Sequence, residues 1–153
     1  MSFFRTALVA CALVAGPVAA LAHVIAQPNT AVAGTSFTAG FMVMHGCDGS
    51  PTVALRIKLP EGVTAVKPLP KEGWTVTEVA GEVTWRGGPL PAKTHDTFGI
   101  ALKLPDTPGR TLHFLATQKC QQGSERWIEI PAAGQTTKDL HNPAPFITLT
   151  PAP

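Results

Sequence analysis

The 153-residue chain predicts an all-β fold, an immunoglobulin-like antiparallel β-sandwich. Three observations carry that expectation. Short segments alternate apolar and polar residues with a period of two, the pattern of strands with one buried face. The 15 prolines and 14 glycines fall largely between those segments. No window after residue 22 is long enough to sustain a helical 3.6-residue period. Many short strands with turn signals every ~8–12 residues define a sandwich or a barrel.

The clearest strands are Val53-Ala54-Leu55-Arg56-Ile57-Lys58-Leu59 and Phe98-Gly99-Ile100-Ala101-Leu102-Lys103-Leu104. Phe37 to Val43, Trp74 to Val79, Val83 to Trp85 and Leu112 to Ala116 follow the same rule less cleanly. Turns are expected at Pro60-Glu61-Gly62, Lys71-Glu72-Gly73, Gly87-Gly88-Pro89 and Pro105 to Gly109, where fixed or left-handed backbone is needed. Met42 and Met44 share one face of their strand, and Phe41 and Val43 the other; the methionines are expected to cushion the sandwich. Trp74 and Trp85 are expected in the core. On Arg126 to Ile130, inward Ile128 and Ile130 leave Trp127 and Glu129 on the opposite face, and the reversed register makes Trp127 a core aromatic. The tail from Ala132 to Pro153 is rich in Pro, Thr and Ala. Phe146-Ile147-Thr148-Leu149 within it reads as a last edge strand, with frayed residues beyond it.

Residues 1–22 obey different rules. Arg5 precedes the apolar run Thr6 to Ala15, Gly16-Pro17 breaks it, and Ala20-Leu21-Ala22 supplies small residues at −3 and −1. This is the pattern of a cleaved secretory signal, and the run is shorter than the ~20 residues that span a bilayer. The processed chain, 23–153, is then a single domain in the periplasm or outside the cell, and not an integral membrane protein. Loss of Arg5 takes the twelve Lys and Arg to eleven, against ten Asp and Glu. That balance has no basic stripe, so nucleic acid is not an expected partner. Loss of Cys11 leaves Cys47 and Cys120, which in an exported domain read as one disulfide bond; a cysteine metal site is the competing reading. Ser50 and Ser124 have no histidine in a context that makes a nucleophile–base pair.

Cleavage after Ala22 makes His23 the first residue. Its α-amine and δ-nitrogen then close a six-membered chelate ring on one metal ion, which an internal histidine cannot do. Cu(II) prefers tetragonal nitrogen and oxygen donors and stands at the top of the divalent affinity order. The amine, with an ordinary pKa of about 7.7–8.0, must lose its proton to bind, so affinity is expected to fall with pH. The competing reading makes His23 incidental to the cut.

Several segments in order resemble the YcnI-like family of exported copper-binding domains: Ala22-His23-Val24; His45-Gly46-Cys47-Asp48-Gly49-Ser50-Pro51-Thr52; Pro60-Glu61-Gly62-Val63; Lys67-Pro68; Gly73-Trp74-Thr75; Trp85-Arg86-Gly87-Gly88-Pro89-Leu90-Pro91; Asp96-Thr97-Phe98; Trp127-Ile128-Glu129-Ile130-Pro131; and His141-Asn142-Pro143-Ala144-Pro145. The resemblance implies a β-sandwich that holds one Cu(II) by the amine and ring of its first histidine, a one-histidine brace. A carboxylate completes the set and a tryptophan lies beside the metal. Carried onto this chain, the histidine is His23, the carboxylate is Asp96 and the tryptophan is Trp127. The chain departs from the family where acids are usual, reading Ala92-Lys93-Thr94-His95-Asp96-Thr97. Asp96 and His95 are adjacent on a strand and face opposite ways, so His95 is the alternative ligand; Glu129 and Glu125 are the fallback carboxylates.

The function so implied is copper buffering, delivery or homeostasis, with a copper chaperone or a membrane copper transporter as partner, and not catalysis. A histidine-brace oxidase or oxygenase is the alternative, with His45, His95 or His113 as its second histidine. A structural or adhesive sandwich that binds no metal is the third. Taken singly, His45 reads as a backbone hydrogen-bonding residue, His113 as solvent-facing and His141 as part of a polar tail; Met42 and Met44 are a candidate Cu(I) pair.

Overall fold

The computed structural model describes residues 23–153, and the expected secretory signal over residues 1–22 lies outside the described residues. The sandwich is built from two sheets. The first runs β1 (Val24–Gln27), β3 (Ser36–Val43), β8 (Asp96–Lys103), β5 (Thr64–Pro68). The second runs β11 (Ser124–Trp127), β10 (Leu115–Cys120), β4 (Thr52–Lys58), β7 (Glu82–Leu90), β6 (Trp74–Val79). A three-stranded sheet of β2 (Thr30–Val32), β12 (Phe146–Thr150) and β9 (Thr111–His113) completes the architecture. Every pairing is antiparallel except that of β2 with β12. The immunoglobulin-like sandwich expected from the sequence is thus present.

Period-two patterning decides which face of each strand is buried. On β8, Phe98, Ile100 and Leu102 point inward, and on β3 Ala39, Phe41 and Val43 do the same. In the opposite sheet Val83, Ile57, Ala116 and Trp127 are register partners across four strands, all at most 2% exposed. Aromatic rings fill the space between sheets: Trp85 lies 5.5 Å from Phe98, Trp74 stands edge-on to Phe98 at 4.9 Å, and Phe41 meets Phe114 at 5.1 Å. These separations suit tilted and edge-to-face aromatic packing. Trp74 and Trp85 are core residues, as expected.

Three expectations are corrected. Met42 and Met44 do not cushion the interior, because Phe41 and Val43 occupy that face; Met44 is 36% exposed. The strand at Phe146–Thr150 is central rather than an edge, since β2 pairs on one side and β9 on the other, and Ile147 and Leu149 are buried. His113 lies on the face opposite inward Leu112, as expected, but is half-buried rather than open to solvent. It ends β9 opposite Phe146, with ring centroids 6.2 Å apart, and its Nδ1 is buried without a hydrogen-bond partner.

Cys47 and Cys120 form the expected disulfide, with Cα atoms 6.0 Å apart. It ties the loop after β3 to the end of β10, so the two sheets are joined covalently near one end of the sandwich. Closing 73 residues of chain constrains the unfolded state by about 4 kcal/mol in the chain-entropy account. Replacing both cysteines by serine is expected to lower the unfolding free energy by about that much in urea titration.

Desolvation holds the pKa of His113 below its ordinary value of 6.5. The folded protein therefore disfavours the imidazolium, and the unfolded chain takes up the proton first. Stability from this group is complete above pH 6.5 and is lost as pH falls through and below that value. Denaturation midpoints measured from about pH 8 down to about pH 5 should fall less steeply for His113→Gln than for the native chain.

Candidate functional site

His23 extends the β1–β3 ladder by one rung. Met44 N–H donates to the His23 carbonyl at 3.1 Å, immediately beyond the Val24–Val43 pair. Its ring lies 5.6 Å from that of Trp127, inclined by 31°. The structure therefore brings His23 and Trp127 together, from the first strand of one sheet and the edge strand of the other.

Trp127 reaches that position from inside. It is 2% exposed and Ile130 is 53% exposed, so the register is the reverse of the one with inward isoleucines. The short β10–β11 turn sets this: Cys120 N–H bonds Gly123 O, and Ala116 then falls opposite Trp127. β11 ends at Trp127, and the amides of Ile128 and Glu129 turn to Asn142 O.

A buried amide joins this tryptophan to the loop after β3. Gln118, 1% exposed, accepts the Trp127 indole N–H at 3.3 Å and donates through Nε2 to His45 O at 2.7 Å and Thr52 Oγ1 at 2.8 Å. His45 follows Met44, so the contacts close a circuit: His23, Met44, His45, Gln118, Trp127 and back to His23. As expected, His45 bonds to backbone: its Nδ1 lies 2.9 Å from Gly46 O. A carbonyl only accepts, so Nδ1 carries the hydrogen, and Nε2 of the neutral ring presents a lone pair. That Nε2 is buried and has no hydrogen-bond partner, a situation that costs about 1–3 kcal/mol. Gly46 holds the loop close, because a Cβ there would overlap the carbonyl oxygen of Ser50.

The carboxylates are engaged elsewhere. Asp96 opens β8 opposite Val43, and its Oδ1 accepts from Lys71 Nζ and from Thr97 N–H, both at 2.7 Å. Lys71 also donates to Thr97 O at 3.0 Å and sits 4.8 Å over the Phe98 ring. Glu129 Oε2 accepts the amides of His141 and Asn142, both at 2.8 Å, and so fixes the tail. Glu125 lies opposite Gln118 in register, half-buried. His95 and His141 are exposed. Among the described residues no three His, Cys, Asp or Glu side chains converge as a metal-holding group.

His23 also lines a cleft of ≈ 920 Å³ that follows β1, with Ile25, Leu140, Pro143 and Phe146 among its walls. β1 ends its sheet. Among the described residues no helix is long and apolar enough to cross a membrane.

A two-sheet sandwich whose first described histidine abuts a buried tryptophan defines an immunoglobulin-like domain with a candidate site at the head of β1. The chain belongs to the family described as Domain of unknown function (DUF1775), whose model matches residues 23–82 and 75–149. It is also similar to the crystal structure of an uncharacterized protein from Nocardia farcinica, described as having an immunoglobulin-like fold. The two are 27% identical over 84% of this chain and 98% of that one, with a TM-score of 0.71. No curated protein matches the chain.

Sequence reasoning did not single out Gln118 or Lys71. Gln118 had a signal: it is the polar residue at an inward position of Leu115-Ala116-Thr117-Gln118-Lys119-Cys120. Gln118→Leu strands the indole N–H, the His45 carbonyl and Thr52 at once, and should destabilise the fold by at least about 2 kcal/mol. Chemical denaturation followed by tryptophan fluorescence measures this, and a loss below about 0.5 kcal/mol would contradict the network.

Proposed function

We propose that this protein is exported and binds Cu(II), serving to buffer or deliver copper rather than to catalyse a reaction. Removal of residues 1–22 leaves His23 to hold the ion through its α-amine and Nδ1. The observation that carries this reading is the His23 ring held 5.6 Å from the buried ring of Trp127, with its own carbonyl pinned to Met44. A chelating residue fixed on both counts loses little freedom on binding.

Further support comes from three sides. The family match opens at residue 23, agreeing with a domain whose first residue is the histidine. The Cys47–Cys120 bridge suits an oxidising compartment outside the cytoplasm. Amine and imidazole nitrogen are donors that Cu(II) favours. Asp96 would complete the set through Oδ2, because Oδ1 already accepts from Lys71 and from Thr97 N–H, both at 2.7 Å. A copper chaperone or a membrane copper transporter is the partner class this role calls for.

The test is a Cu(II) titration of the chain beginning at His23 beside the same chain with its α-amine acetylated, read by quenching of tryptophan fluorescence. Acetylation removes the amine donor and with it the chelate, and affinity should fall by at least about tenfold, equivalent to about 1.4 kcal/mol. For the native terminus, affinity should also drop as pH is lowered through the amine range of about 8 to 7. Equal affinity of the two proteins overturns the reading.

A further inference from the structure

We propose that the cleft along β1 docks an extended peptide of another protein, which adds a strand to the free edge of β1 and sets an acidic side chain against Lys138. The groove stands independently of the copper reading.

Backbone parity is the first argument. Met44 N–H on His23 O fixes the phase of the β1–β3 ladder, so Ile25 and Gln27 exchange bonds with Met42 and Gly40. In an antiparallel ladder the residues between them turn their N–H and C=O the other way. Val24 and Ala26 therefore present their amides and carbonyls to the open side of β1, which ends its sheet. The phase agrees across β3: Leu69 N–H on Gly99 O turns Gly99 away from its register partner Gly40.

The tail that lines the same cleft leaves this row unmet. Pro143 and Pro145 have no N–H, Ala144 N–H donates to Glu129 O, and the Pro145 carbonyl accepts from Phe114. Among the described residues no hydrogen bond reaches the outward groups of Val24 or Ala26. Alternating donors and acceptors on a strand edge are what an added strand completes, whereas a lipid chain would leave them unsatisfied.

Shape and charge are the second argument. The ≈ 920 Å³ of the cleft suits a bound ligand, and Ile25, Leu140 and Phe146 offer apolar surface to alternate side chains. The tail is fixed beforehand by Glu129, which accepts the amides of His141 and Asn142. Lys138 lines the cleft, exposed, and no Asp or Glu does. The neighbouring Asp139 is turned to Thr136. A carboxylate on the occupant complements that charge. This chain does not supply it: β1 carries no acid, and neither do residues 1–22 ahead of His23. Because His23 lines the same cleft, a strand seated there lies beside the residue to which the copper reading assigns the ion.

The metal-free chain from His23, isotope-labelled and followed by amide NMR, is titrated with blocked peptides of about five residues. These alternate valine and threonine and carry an aspartate at one end or the other. Shifts centred on β1 are expected, with hydrogen exchange slowed at the Val24 and Ala26 amides, while Ile25 and Gln27 are protected before and after. Asparagine in place of the peptide's aspartate, or Lys138→Glu in the protein, should weaken binding about threefold. Methylating alternate peptide nitrogens should abolish binding in one of the two phases. Tolerance of both phases, indifference to both charge changes, shifts that map away from β1, or no shift up to about 5 mM peptide overturns the proposal. Protection of Val24 and Ala26 without peptide overturns it too, in favour of a second copy where it grows with protein concentration, and of residues 1–22 where only the full chain shows it. None of these outcomes bears on the Cu(II) titration, so the two readings fail separately.

Discussion

The side-chain amide of Gln118 is the interaction on which the site depends. It lies among apolar residues in a row with Trp85 and Leu55, where any unmet polar group is expensive. Its three bonds compel three distant pieces of chain to one place: the end of β11 through Trp127, the loop after β3 through His45, and the start of β4 through Thr52. The disulfide lies beside it, with Cys120 Sγ accepting the Cys47 amide at 3.0 Å. A covalent tie sets the distance between β3 and β10, and the amide sets the rotation. His23 and Trp127 meet because both constraints are satisfied together.

The fold was largely legible because burial in a two-sheet sandwich follows alternation, which is a local property. Phe98-Gly99-Ile100-Ala101-Leu102 and Leu55-Arg56-Ile57 state their inward faces without reference to any partner. The failures came where a partner decides. Phe146 to Leu149 alternates like any strand, and only its two neighbours make it central. Trp127 could satisfy either register, and a tight turn at Gln121-Gln122-Gly123 chose the inward one. His113 was read outward by alternation alone, yet Phe146 covers it. The candidate site was legible as a residue list and not as a geometry: His23 and Trp127 are together, while the engagement of Asp96 by Lys71 needed a lysine forty-eight positions beyond His23 in a turn that carries no pattern of its own.

Lys71 and Asp96 show how a sandwich treats charge near its mouth. The lysine side chain is 18% exposed and the aspartate 43%, so the pair is half withdrawn from water. Neutralising each other, and with the ammonium over Phe98 and on Thr97 O, they close the end of the β8 core face. Glu129 does comparable work for the tail, gathering two successive amides so that Pro143, Ala144 and Pro145 can pack against the body. Acids that look available in a sequence are here spent on architecture.

The rung between Met44 and His23 holds the head of β1 in place. Chain ends commonly fray because nothing holds their first amide groups. Here the strand begins one residue after the expected cut, and that residue is already stitched into the sheet and shelved against an indole. Loss of His23 would unpick the first rung of the β1–β3 ladder and take away the ring that rests beside Trp127.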